Sequence, residues 1–209
     1  MEKNQVPSTI KDEALVEKRR QQMVKGAVTL FTEKGFHKTT TREIAKASGF
    51  SIGTLYEYIR KKEDVLFLVC DSIYERVKER MEASINQDEK SVANLILAIR
   101  AYFHLMHDMQ GEVLVMYQEV KSLSKDAQDY VLQKERDMVA MLEKVIKNSL
   151  PFSISEEQVT LIANNIFVQG QMWGFRRWIL QRTFTLETYT EQQIKLLLQG
   201  LQVEEKELT

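Results

Sequence analysis

The chain has only two prolines, Pro7 and Pro151, and eight glycines among its 209 residues. So few helix breakers argue against a strand-and-turn architecture and for an all-α protein. A lone cysteine, Cys70, excludes an internal disulfide and suits a reducing compartment. The apolar run around Val65–Cys70 is far short of the ~20 residues that a bilayer span needs. The polar N-terminus has no apolar segment of the secretory kind, so a cytoplasmic location is expected. Also missing are a glycine-rich phosphate loop, a nucleophile–base pair and a full set of metal ligands. The chain is therefore not read as an enzyme, and no cofactor or metal is expected. His104 and His107, three apart with Asp108 and Glu112 nearby, amount to half a metal site.

What is present is ordinary globular material, 44% apolar and 28% charged, enough for a sizeable core. The net charge of −1 hides an uneven distribution. Residues 11–62 hold 12 basic and 6 acidic side chains, whereas residues 63–209 hold 16 basic and 23 acidic ones. A basic first third on an acidic remainder implies an anionic partner for that third. Nucleic acid is the first candidate and an anionic membrane surface the second.

Apolar spacing predicts about nine helices. The first covers about 11–34, with Met23, Ala27, Leu30 and Phe31 on one stripe, and Gly35 is placed to cap its end. A threonine cap opens a short second helix carrying Ile44 and Ala45. Ser51 opens a third through Ile59, with Leu55 and Ile59 inward. The fourth runs from Lys61–Lys62 to about Ser84. Longer helices follow over about 90–109, broken by Gly111, then 112–123, 124–150 stopped by Pro151, 155–181 and 186–202. Residues 1–10 and the charged tail 204–207 are expected to be loose.

The second and third helices, joined by Ser48-Gly49-Phe50, have helix-turn-helix proportions. Ser51, Ile52, Gly53, Thr54, Tyr56, Glu57 and Tyr58 are read as the outward face of the recognition helix. The hydroxyls of Thr54, Tyr56 and Tyr58 suit phosphates or base edges, and Gly53 allows close backbone approach. Lys62 adds a phosphate contact, and Arg42 can read a guanine. Lys18-Arg19-Arg20 is either a solvated face or an additional phosphate contact.

The run AVTLFTEKGFHKTTTREIAKASGFSIGTLYEYIRKKEDVL, Ala27 to Leu66, resembles the N-terminal signature of the TetR family of transcriptional regulators. Phe31, Gly35-Phe36, Thr40-Thr41, Ile44-Ala45, Gly49, Gly53-Thr54-Leu55-Tyr56-x-Tyr58 and Lys62-Glu63 carry the likeness without a gap. Glu57 is acidic where many members are neutral or aromatic, and Ile59 stands for the more usual Phe. The resemblance implies an all-α homodimer with a small DNA-binding domain and a larger ligand-binding and dimerisation domain. It also implies operator contacts from Thr41, Arg42, Ile52, Gly53, Thr54, Tyr56, Glu57, Tyr58 and Lys62. The expected division is an extension over 1–16, the DNA-binding domain over 17–77 with its helix-turn-helix at about 40–59, and the second domain over 78–209.

The second domain is rich in methionine and aromatics, which suit a core and also an adaptable apolar pocket. Tyr102, Met106, Met116, Tyr117, Glu119, Met138, Met141, Phe167, Gln171 and Arg176 are the candidate lining. Ala163, Gly170, Gly174, Ile194, Leu197, Leu198 and Leu201 are candidates for a four-helix dimer interface, as the family resemblance implies. The expected function is a one-component repressor that binds a near-palindromic operator as a dimer and is released by a small apolar ligand. A fatty acid or fatty acyl-coenzyme A comes first, and a drug in a multidrug-efflux repressor, held through Glu119, comes second. The fourth helix is the expected lever between the halves. A peripheral membrane or helix-binding module using the basic first helix is the alternative of a different class. The hydroxyl-rich face fits a membrane poorly.

Overall fold

The computed structural model describes residues 6–84 and 90–203, which form ten α-helices and no strand among the described residues. Local chemistry fixes most helix ends. Asp12 accepts the Leu15 N–H at 3.0 Å and opens α1, Glu13–Lys34. Gly35, at φ +84°, ends it in the left-handed region that suits glycine. Thr40 and Glu43 exchange hydrogen bonds as a capping box at the start of α2, Thr41–Ala47. Gly49, at φ +75°, makes the turn to α3, Ile52–Tyr56, which Ser51 caps. Asp64 accepts the N–H groups of Arg60 and Lys61 at 2.8 and 3.3 Å at the start of α4, Lys62–Ser84.

Then come α5, Val92–Asp108, and α6, Gln110–Glu119, followed by a 3₁₀ turn at Val120–Ser122. They lead to α7, Lys125–Ser149, and α8, Glu156–Phe175. Last are α9, Arg177–Thr183, and α10, Leu186–Gly200.

Three sequence expectations are corrected. α3 stops at Tyr56 rather than Ile59, because Tyr58 and Ile59 both turn into the core. Gly111 lies inside α6 and the break falls at Met109. Gly111 instead allows close packing, since a Cβ there would lie 3.5 Å from the Thr32 hydroxyl oxygen. The single helix expected over 155–181 is interrupted at Arg176, giving ten helices instead of nine. No proline marks that break. The Gln181 side chain donates to the Trp173 carbonyl at 3.2 Å and to Gln110 Oε1 at 3.1 Å, satisfying a group the interruption frees.

Packing groups the chain into two compact units. The first takes residues up to Tyr74 together with Gly111–Gln133. Its core holds Met23, Ala27, Phe31, Phe36, Ile44, Leu55, Ile59 and Leu66, with the Phe31 and Phe36 rings edge to face at 5.2 Å. Within it, Phe67 of α4 packs on Tyr130 of α7 at 5.2 Å, and the Tyr130 hydroxyl donates to Asp71 Oδ1 at 2.6 Å. The expected loose extension is held from Val6 onward: Val6 is buried, and its carbonyl accepts from Arg20. Residues 1–5 and the charged tail lie outside the described residues.

The second unit takes Glu75–Gln110 and the chain from Lys134. Here α5 is the central element and packs against α8 and α10. Tyr102 and Phe103 of α5, Phe167 and Trp173 of α8 and Tyr189 of α10 form one aromatic cluster, with ring centroids 4.6–6.1 Å apart. Arg100 reaches Glu191 with two nitrogens, at 2.8 and 2.9 Å, on the exposed edge of α5 and α10.

Candidate DNA-reading face

The head is built from the α1–α2 turn, α2 and α3. Its exposed side carries Arg42 of α2 and Ile52, Gly53, Tyr56 and Glu57 of α3 or its end. Tyr56 is 48% exposed, and its hydroxyl lies 3.1 Å from the Thr41 hydroxyl, so the two form one polar pair across α2 and α3. Thr54 is half-buried and shares a 3.0 Å contact with the Ser51 hydroxyl at the cap. These residues form one surface with hydrogen-bonding groups, an apolar side chain and a free guanidinium, the mixture that reads base edges and phosphates.

Two predicted contact residues are used differently. Tyr58 was expected on the outward face but is 3% exposed; its ring belongs to the core below α3. Lys62 was expected on a phosphate. Its ammonium donates to the carbonyls of Phe36, His37 and Thr39 at 2.8, 3.3 and 3.0 Å, and it lies 4.3 Å from the Phe36 ring centroid. An ammonium has three protons, and all three have acceptors here. Lys62 therefore ties the start of α4 to the α1–α2 turn.

The basic cluster of α1 also divides. Lys18 is exposed. Arg19 stacks over Phe50 at 4.9 Å and meets Gln22 at 3.2 Å. Arg20 turns inward, where burial lowers its affinity for the proton while Glu17, Asp71 and Asp64 oppose that. At the other end of the head, hydrogen bonds from Lys34, then from the Thr40 side chain and N–H, hold the Glu43 carboxyl down at about 2. Thr40-x-x-Glu43 carries the spacing of a capping box, a sequence signal beyond the threonine cap alone. Burial, with help from Asp71, pushes the Cys70 thiol up to about 12.

The candidate ligand residues are not gathered in one unit. Met116, Tyr117 and Glu119 belong to the first unit, and the other seven to the second. Glu119 Oε2 faces His37 Nε2 at 3.3 Å, at the edge of the head. Tyr102, Met106 and Phe167 are buried in the second core, and the Tyr102 hydroxyl donates to the Phe167 carbonyl at 3.2 Å. Met138, Met141 and Gln171 are half-buried, and Arg176 is exposed. An open groove of about 370 Å³ between α7 and α8 is lined by Lys147, Leu150, Pro151, Phe152, Ser153, Ile154 and Glu156, none of them a candidate. His107 Nδ1 accepts the Trp173 indole N–H at 2.9 Å. No set of three metal-ligating side chains comes together among the described residues.

The candidate dimer residues are mostly occupied within the second unit. Ala163, Gly170, Gly174, Ile194 and Leu198 are buried there, and Leu197 and Leu201 are half-buried. A Cβ on Gly170 would lie 2.5 Å from Tyr102 Cε1, and one on Gly174 would lie 3.1 Å from Gln110 Cβ. The small residues thus admit α5 and the start of α6. On α8 and α10 the large apolar side chains left outward are Leu161 and Val168, 62% and 50% exposed, and Leu196, 62% exposed.

An all-α chain with a doubly capped helix-turn-helix, a polar reading face and a second unit with its own aromatic core has the make-up of a DNA-binding regulator. Residues 24–69 match the family described as bacterial regulatory proteins, tetR family. Those residues span α2, α3 and the start of α4, so the head matches the TetR family of transcriptional regulators. The chain is 27% identical over 195 residues to the HTH-type transcriptional regulator HbdR of Aromatoleum sp. (strain CIB), covering 93% of this chain and 85% of that one. It is 24% identical over 129 residues to the fatty acid metabolism regulator protein of Bacillus subtilis (strain 168), covering 62% and 66% of the two chains. Its fold is similar to that of AibR in complex with isovaleryl coenzyme A and operator DNA. There the TM-score is 0.69 at 18% identity, over 85% of this chain and 97% of that one. No helix among the described residues is long and apolar enough to cross a membrane.

Proposed function

We propose that this chain is a ligand-released repressor that binds a near-palindromic operator as a homodimer and answers to a fatty acid or acyl-coenzyme A. The observation that carries the DNA half is the exposed face of α3 with Ile52, Gly53, Tyr56 and Glu57 beside Arg42. Residues 17–77 then hold the DNA contacts, and the remainder of the chain supplies ligand binding and dimerisation. The recognition helices of a two-fold dimer must lie about 34–36 Å apart, one DNA turn. The outward apolar positions Leu161, Val168 and Leu196 support a dimer through α8 and α10.

The acyl reading draws on the regulator of fatty acid metabolism and the isovaleryl-coenzyme A complex among the similar proteins. The exposed Arg176 and Arg177, beside the aromatic-rich second unit, suit the phosphates of such a ligand. The drug reading loses its main support, since Glu119 faces His37. A useful inducer binds the DNA-incompetent form ~10–100 times better, about 1–3 kcal/mol of coupling.

The test is fluorescence anisotropy with duplexes selected from a random library, followed by titration with acyl-coenzyme A thioesters of rising chain length. Selective, salt-sensitive binding that the thioesters reverse is the expected outcome. Failure to select any sequence refutes the DNA half, and selective binding that no thioester weakens refutes the acyl half.

A further inference from the structure

The recognition helix has five residues, Ile52–Tyr56, too few to be stable through its own hydrogen bonds. Its N-terminal end is capped by Ser51. At its C-terminal end the Glu57 carbonyl is satisfied from a segment 48 residues earlier. The Thr9 N–H donates to it at 2.9 Å, the Ser8 hydroxyl at 3.0 Å and the Thr9 hydroxyl at 3.3 Å. The segment is closed on itself by the Ile10 N–H, which donates to Ser8 Oγ at 3.1 Å. It is anchored by Val6, whose side chain is buried and whose carbonyl accepts from the Arg20 guanidinium. Arg20 in turn feels Asp64 and Asp71 of α4, and Asp71 is held by the Tyr130 hydroxyl of α7.

We propose that Val6–Ile10, pinned by Arg20, is a positioning strap that sets the angle of the recognition helix and so contributes sequence specificity. This rests on the DNA-reading role assigned above to α3. The strap, Val-Pro-Ser-Thr-Ile, carries no charge, and its two hydroxyls are turned to the Glu57 carbonyl. It therefore has little to offer a phosphate, and its effect is on the orientation of Ile52, Gly53 and Tyr56. α1 does not depend on it, because Asp12 caps that helix independently.

The experiment compares the wild type, a variant lacking residues 1–10, Ser8→Ala and Arg20→Gln, with Arg20→Lys as the conservative rescue. Each is titrated by fluorescence anisotropy, at several salt concentrations, against the duplex the wild type selects from a random library and against an unrelated duplex. Melting by circular dichroism checks folding. Loss of the strap is expected to weaken the selected duplex by about tenfold, the scale of one or two lost hydrogen bonds. Affinity for the unrelated duplex and the salt slope stay unchanged. Ser8→Ala and Arg20→Gln move the same way by smaller amounts, and Arg20→Lys recovers part of the loss. Ser8→Ala is mild enough to carry the test alone if the deletion does not fold. Equal loss on both duplexes, a salt slope reduced by about one, or no change on either overturns the strap. A wild type that selects no sequence overturns the DNA-reading role, and the strap falls with it.

Discussion

Replacing Lys62 by Met separates two roles for one side chain. The methionine keeps the aliphatic stem and removes the ammonium. Three carbonyls, those of Phe36, His37 and Thr39, lose their donor, and the Phe36 ring loses its cation. Two of these hydrogen bonds are part-buried and one is exposed, so each is set near the low end, about 0.5–1 kcal/mol. The ring contact adds ~0.5–1 kcal/mol, and the whole comes to about 2–4 kcal/mol. For a chain of this length each kcal/mol shifts Tm by roughly 2–4 °C, so a fall of about 4–16 °C is expected. Melting by circular dichroism reads the fall. Anisotropy with an unrelated duplex reads the charge: if Lys62 is structural, the slope of log Kd against log salt does not change beyond what unfolding explains. A melt within about 2 °C of the wild type, with a salt slope reduced by about one, puts the ammonium on a phosphate and refutes the reasoning.

Gly170→Leu drives a side chain into the Tyr102 ring, where even a Cβ would come within 2.5 Å, and should lower stability by about 1–3 kcal/mol in a thermal melt. Leu161→Glu with Leu196→Glu alters exposed positions and should leave the melt of the monomer within about 0.5 kcal/mol while shifting sedimentation toward a smaller species. An unchanged sedimentation profile removes α8 and α10 from the dimer. Glu43 has its carboxyl held at about 2 against a usual 4.5, so its contribution is present above about 4.5 and is lost as pH falls toward 2. Glu43→Gln should flatten the fall of Tm across that window, and an unaltered pH profile would count against the Lys34–Thr40–Glu43 network. Cys70, buried and pushed up to about 12, should resist iodoacetamide in the native protein and react only after unfolding.

The head was the most legible part of the chain because its signals are local. Gly35, Thr40, Gly49 and Ser51 each fix a backbone event within a few residues, and the structure has all four where the sequence put them. Tyr58 lies in the core because α3 is shorter than its pattern, so the residues after Tyr56 leave the helical register. Nothing in residues 57–62 announces an acceptor set more than twenty residues away.

The small residues of α8 illustrate a second limit. Gly170 and Gly174 mark close approach, but sequence cannot say whether the approaching element is α5 of the same chain or a helix of another. The break at Arg176 was invisible because no proline marks it and a side chain, Gln181, compensates it.

Because α6 and the beginning of α7 are grouped with α1–α3, the reading portion is not one continuous stretch of chain. A fragment ended after α4 would deprive Phe67 of the Tyr130 ring and leave the buried Asp71 carboxylate without its phenol donor. Chimaeras that graft this head onto a foreign sensor must therefore carry residues 111–133 with it, as a second, non-adjacent splice.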